Sequence, residues 1–216
     1  MIVAGRALLL VIWPILLYAS VTQDKAEETA RAFLPPGARI ATLETFDPKT
    51  GQRTESAPAA LSGHVLSANS NDIIVAYETT AEDIHSRSLF VTLLHKTKSG
   101  YDKLFELTYF NRFLWVQDFS TVGLRIIRLP GDSQDSLAIT TAIGASLGGQ
   151  LEVFRWQDGL GLLNLMPDHP AAHRISILRE KNQLTVELSY EKYPGERGAP
   201  PAIFYRWDGQ RFTRQP

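Results

Sequence analysis

The stretch STVGLRIIRLPGDSQDSLAITTAIGASLGGQLEVFRWQDGLGLLN, Ser120–Asn164, decides the fold. It reads as four short strands in succession. Thr121–Leu129 is the first. The corner Pro130-Gly131-Asp132-Ser133-Gln134-Asp135 leads to the second, Ser136–Thr141. A glycine-rich loop, Ala142–Gly149, leads to the third, Gln150–Trp156. The turn Gln157-Asp158-Gly159 leads to the fourth, around Leu160–Leu165. Apolar, β-branched runs bounded by Gly, Pro and Asp clusters carry this reading.

The pattern recurs on both sides. Downstream it runs Arg174–Leu178, a corner at Glu180–Asn182, Leu184–Tyr190, a long loop, Ala202–Trp207, an Asp208-Gly209 turn and Gln210–Arg214. Upstream it runs Leu61–Ser67, a corner at Asn69–Asp72, Ile73–Glu78, a loop over Thr79–Arg87, Ser88–Lys96, a turn at Lys98–Gly100 and Tyr101–Leu107. A period of about fifty residues points to blade-like or solenoid units. The second strands align as Asp72–Ala76, Asp135–Ile139 and Gln183–Glu187. The third strands align as Leu89–Leu93, Leu151–Arg155 and Ala202–Arg206, with Trp156 against Trp207. Leu184, Val186 and Leu188 alternate with Thr185, Glu187 and Ser189, which marks a sheet with one better-buried face.

The expected fold is therefore all-β. Three four-stranded antiparallel repeats, 60–107, 120–165 and 173–216, form one domain, preceded by a short N-terminal helix. Thr22–Leu34 is that helix, with Ala26, Ala30 and Phe33 on one face and Pro35-Pro36-Gly37 as its stop. Ala38–Phe46 reads as a strand, and polar Asp47–Ala59 as a linker or surface loop. Thr108–Phe119 is rich in aromatics and reads as a plug between repeats, with a binding patch as the alternative.

Composition bounds the function. The chain has 216 residues, 23 acidic and 22 basic, and no cysteine. That is ordinary globular composition, excludes disulfides and thiolate metal sites, and offers no basic stripe for nucleic acid. Arg6 followed by the apolar run Ala7–Ala19 and small residues at Ala19 and Ser20 has the shape of a signal peptide over residues 1–20. The expectation is export to the periplasm or beyond, with membrane attachment only if this segment stays uncleaved.

The corner Gly131-Asp132-Ser133-Gln134-Asp135 and the hairpins at Trp156–Gly159 and Trp207–Gly209 resemble blades of integrin-type β-propellers, the FG-GAP or VCBS-like repeat class of exported bacterial proteins. The resemblance spans Leu61 to the C-terminus. It implies a partial propeller-like array and a calcium loop at the corner. Calcium takes six to eight oxygens, whereas Asp132, Ser133 and Asp135 alone fall short, so no metal and no cofactor are expected.

In a four-stranded meander the first-to-second and third-to-fourth turns share one edge, and here they are tight. The opposite edge gathers the long loops: Thr79–Arg87, Thr108–Phe119, Ala142–Gly149, Met166–His173 and Tyr190–Pro201. Loops held by a rigid sheet are where binding concentrates. Trp115, Tyr193, Arg197 and Ser146 are the candidate ligand-binding residues. The candidate chemistry is thin. Gly144-Ala145-Ser146-Leu147-Gly148 echoes a nucleophile elbow in spelling, but that motif needs a following helix. His169 and His173 lie four apart beside Asp168, yet Pro167 and Pro170 disfavour the helix that would pair them on a metal. His64, His85 and His95 are scattered. The leading expectation is a non-catalytic exported interaction or scaffold module, with an unknown protein or glycan as partner. A carbohydrate- or small-ligand-binding module on the long-loop edge is the alternative, and a hydrolase around Ser146 a remote one.

Overall fold

The computed structural model describes residues 25–46, 53–79, 88–114, 123–142, 148–190 and 200–216. Within them the chain is mostly β, built from antiparallel sheets with one short helix, and no sheet closes into a barrel.

The first sheet contains β1 (Ala38–Ile40), β4 (Ala60–Gly63), β5 (Asp72–Thr79), β6 (Ser88–Lys96) and β7 (Tyr101–Phe110). Strand β5 pairs with β6 on one flank and with both β1 and β4 on the other. A two-stranded ribbon, β2 (Thr42–Phe46) with β3 (Arg53–Pro58), leaves between β1 and β4. Three buried alanines knit its base: Ala41 N–H donates to Ala76, Ala76 N–H to Ala59 and Ala59 N–H to Ala41.

The second sheet runs β11 (Gly161–Asn164), β10 (Gly149–Gln157), β9 (Asp135–Ala142), β8 (Leu124–Arg128), with β12 (Ala171–Ala172) also on β10. The third runs β13 (Arg174–Glu180), β14 (Gln183–Ser189), β15 (Ile203–Trp207), β16 (Phe212–Arg214).

The sheets pack through their faces. Ile74, Ala76, Val91 and Leu93 of the first sheet share a core with Leu137, Ile139 and Phe154 of the second. The opposite face of the second sheet, Ala138, Leu151 and Val153, shares another with Leu184, Val186, Leu188, Tyr205 and Trp207 of the third. Strand β9 is consequently buried along its whole length, which is why its sequence reads as a continuous run rather than an alternation. Helix 25–31 lies on the remaining face of the first sheet, where Ala26 and Ala30, one turn apart, meet Ile73, Val75 and Leu94. Glu27 and Arg31 pair across a turn on its outer side.

Several expectations need correction. The helix ends at residue 31, and Ala32–Leu34 form a turn, with residues 22–24 outside the described range. Ala38–Phe46 is two strands in two sheets, broken at Ala41 where the ribbon leaves. Asp47–Ala59 contains β3 rather than only a linker, because a ribbon is held by its ladder and needs little apolar burial. Met166–His173 contains β12. The strand alignment also shifts. Phe154 pairs with Leu137 and Tyr205 with Val186, so setting Trp156 against Trp207 sets Leu137 against Val186, not against Thr185. Leu137 and Val186 are both buried, whereas Thr185 is half-buried. A slip of one residue moves a strand's side chains to the other face.

A polar hub ties the first sheet together internally. The Glu106 carboxylate accepts from Tyr77 Oη at 2.6 Å, Thr92 Oγ1 at 2.8 Å and Lys103 Nζ at 2.5 Å. Desolvation works to raise the Glu106 pKa, but the hydrogen bonds from Lys103, Tyr77 and Thr92 outweigh it and hold it below its ordinary value. A depressed folded pKa contributes stability above the unfolded pKa and loses it as pH falls through the folded one. The melting-temperature difference between wild type and Glu106→Gln is therefore expected to be steady near neutrality and to shrink as pH drops below the ordinary glutamate range. Parallel melting curves over that range check it, and a difference independent of pH would contradict it.

Candidate functional site

Two edges of the stack emerge from the inter-sheet bonds. On one lie the tight turns. His64 N–H donates to Asp135 Oδ2 at 2.8 Å, linking the first and second sheets. Trp207 Nε1 donates to the Pro130 carbonyl at 3.3 Å, and Arg179 donates to the Arg128 carbonyl, linking the second and third. On the other edge Leu114 bridges to Thr141, and Tyr190 Oη donates to the Ala171 carbonyl at 3.0 Å. The described chain ends that bound the long loops lie on this second edge: Thr79, Ser88, Leu114, Ala142, Gly148 and Tyr190.

The four residues singled out from the sequence, Trp115, Ser146, Tyr193 and Arg197, lie outside the described residues, as does His85. The aromatic piece that contains Trp115 is partly described, and it differs from the expected plug. Tyr109 and Leu114 pack into the core between the first and second sheets. Phe110 and Phe113, however, are 76% and 47% exposed. Strand β7 sets this split: alternate side chains face opposite ways, so Tyr109 turns inward and Phe110 outward. Asn111 then takes a left-handed turn, φ 55°, and Arg112 folds back to donate to Gln150 Oε1 at 2.7 Å and Thr141 Oγ1 at 3.2 Å. Phe113, whose carbonyl accepts from Ala142 N–H, is thereby held on a braced turn at the rim of the second sheet, while Phe110 ends β7 in the first.

Beneath that turn sits a carboxylate that the sequence reading passed over as one polar letter in Leu151-Glu152-Val153. Glu152 is buried, with Asn164 Nδ2 at 3.4 Å and His169 Nδ1 at 3.2 Å. Burial, and then the charge of Glu152, push the pKa of the Tyr109 hydroxyl up. His169 reaches Glu152 from a backbone with φ 45°, a conformation that costs a non-glycine residue. This position explains the histidine spacing. His169 turns to Glu152 while His173 meets Tyr190 edge-on, with ring centroids 6.2 Å apart. The two do not converge, and among the described residues no three His, Asp or Glu side chains gather as a metal site.

The tight-turn edge carries the corner that the resemblance linked with calcium. Its carboxylates face guanidinium groups. Asp132 Oδ2 lies 3.2 Å from Arg155, and Asp135 Oδ1 accepts from Arg128 at 2.7 Å. The other Asp135 oxygen is taken by the His64 N–H. His64, exposed, and His95, half-buried, border a buried carboxylate at the neighbouring corner. There the Asp72 carboxylate accepts from Val65 N–H, Leu66 N–H and Ser70 Oγ through Oδ2, and meets His95 Nδ1 at 2.7 Å through Oδ1. Ser70 bonds to the aspartate rather than to a histidine ring nitrogen through its hydroxyl, so the three do not form a nucleophilic relay.

No protein-family model, curated protein or solved structure matches the chain.

Proposed function

We propose that the chain is an exported, non-catalytic interaction module. Its three meander sheets are copies of one four-stranded unit, stacked as an open propeller-like array, and its long-loop edge docks a protein partner around Phe110 and Phe113. The observation that carries this reading is the exposure of two rings at this edge, 76% for Phe110 at the end of β7 and 47% for Phe113 on the turn braced by Arg112. Large apolar groups at a rim fixed by a rigid scaffold are characteristic of interaction sites, where aromatic side chains supply much of the binding energy. The common origin of the sheets is supported by a recurring bond. Gln134 Nε2 donates to the Trp156 carbonyl at 2.6 Å, and Gln183 Nε2 donates to the Trp207 carbonyl at 3.3 Å. Export is supported by Arg6 and the apolar run Ala7–Ala19. Among the described residues no helix is long and apolar enough to cross a membrane.

Quantitative affinity capture from cell-envelope extracts tests the docking role. A partner retained by the wild-type chain is expected to fall by about tenfold or more with Phe110→Ser/Phe113→Ser, the scale of losing a hot spot. The melting temperature should stay close to wild type, since both rings are exposed. Equal retention by the two proteins would remove the assignment.

A further inference from the structure

A second site lies on the opposite, tight-turn edge. A cleft of about 410 Å³ opens in the second sheet between the β8–β9 corner and the β10–β11 hairpin, lined by Asp132, Ser133, Gln134, Arg155, Trp156, Gln157 and Asp158 with Gly131 at its rim. Its volume is within the range of small-molecule sites, about 300–1,000 Å³. The fold does not require such a cleft. In the third sheet the equivalent corner is only Lys181 and Asn182, Trp207 is buried with its indole N–H on Pro130, and Asp208 Oδ1 is closed onto the N–H groups of Gln210 and Arg211. In the second sheet the corner is longer. Gly131 takes a left-handed φ of 89° there, and Trp156 stays partly exposed.

The lining selects by chemistry. Arg155 is fixed from behind, its guanidinium 5.7 Å from the Trp207 ring centroid, and from the side by Asp132 at 3.2 Å. A donor fork and an acceptor carboxylate therefore stand next to each other, held before any ligand arrives. Gln134 is anchored through its amide nitrogen on the Trp156 carbonyl, which leaves its amide oxygen as an acceptor. Asp158 Oδ1 accepts the Trp156 indole N–H at 3.1 Å. Two carboxylates against one guanidinium oppose an anion such as phosphate. A divalent cation would need six to eight oxygens, while Asp132 is already engaged by Arg155 and Asp158 by Trp156. What remains is a neutral ligand that both donates and accepts over a short span.

We infer that this cleft binds a neutral saccharide, whose neighbouring hydroxyls bridge the Arg155–Asp132 pair and the amides of Gln134 and Gln157. The site is separate from the docking patch, so either can fail without the other. Isothermal titration with a panel of glucose, galactose, mannose, N-acetylglucosamine, cellobiose, maltose and chitobiose tests it, with calcium chloride and inorganic phosphate as parallel arms. At least one sugar is expected to bind saturably to the wild-type chain. Gln157→Ala/Asp158→Ala, both exposed positions, should weaken that sugar by about tenfold or more, the scale of one or two lost hydrogen bonds, while circular dichroism stays as in wild type. Gln134→Ala provides a second variant should the first pair perturb the hairpin. Absence of saturable binding by every sugar in the panel would overturn the assignment. So would a sugar affinity unchanged in both variants, or saturable binding of calcium or phosphate without any sugar.

Discussion

Asp72→Ala is expected to destabilise the protein by about 3–5 kcal/mol, the cost of removing one partner from a buried charged cluster. The carboxylate is fully buried and serves four donors at 2.5–2.9 Å: Val65 N–H, Leu66 N–H, Ser70 Oγ and His95 Nδ1. Two of these are backbone groups of the corner that brings the chain from β4 to β5. Alanine leaves them buried and unpaired, and each such group costs about 1–3 kcal/mol. The same corner passes its order to the next sheet. His64 and Asp135 exchange backbone bonds across the gap, with N···O distances of 2.8 Å for both the side-chain and the main-chain contact. Loss of Asp72 should therefore loosen the junction of two sheets and not only one turn. Urea denaturation followed by circular dichroism measures the effect, and a loss below about 1 kcal/mol, the value of an ordinary exposed hydrogen bond, would contradict it.

Gly148→Ala should be nearly as damaging. Its φ of +81° is left-handed, and an added Cβ would collide with the Ala172 carbonyl oxygen, with the Ala172 carbonyl carbon at 2.6 Å and His173 N at 2.9 Å. These are backbone atoms of β12 and the residue after it, pinned by the pairing of Gly149 with Ala172. They cannot yield as the tip of a side chain can. The conformational penalty of about 1–2 kcal/mol and an overpacking cost of about 1–3 kcal/mol add to about 2–5 kcal/mol. Gly159→Ala is the matched control. Its φ is +77° with nothing within 4 Å of the added Cβ, so only the conformational part applies. Thermal melts of the two variants separate the terms, and equal losses would mean that the approach of β10 to β12 is not tight.

The strands were legible where punctuation and hydrophobicity are both local. Ser88–Lys96 has the same bounds in sequence and structure, because Lys98–Gly100 closes it and an apolar run fills it. The strands of Thr121–Leu165 were similarly bracketed by Pro-Gly and Asp-Gly turns, and the structure moves their ends by a few residues. Strand β3 was not legible. Arg53–Pro58 carries a polar sequence and owes its state to a ladder with Thr42–Phe46. The one-residue slip between Leu137 and Val186 was hidden for a different reason. Both faces of β9 are buried, so its sequence lacks the alternation that would have fixed its register.

The sites were harder still, because they are made by contacts between distant segments. Glu152 meets His169 across seventeen positions of loop and strand, and Arg112 meets Gln150 across thirty-eight. The aromatic content of Thr108–Phe119 did signal the long-loop rim. What the sequence could not assign was which ring turns inward, and the parity of β7 decides that. The cleft at Arg155 and Asp132 gave only a faint sign, a corner longer than its counterpart at Lys181-Asn182 and opened by a glycine.

Site-specific photo-crosslinking at the long-loop rim tests the proposed docking role most directly. A benzoylphenylalanine placed at Phe110 in the full chain, expressed in its native envelope, should give a discrete adduct with one protein partner. The same probe at Glu180, exposed on the opposite edge, should give none. No adduct at Phe110, or the same adducts at both positions, would contradict the account.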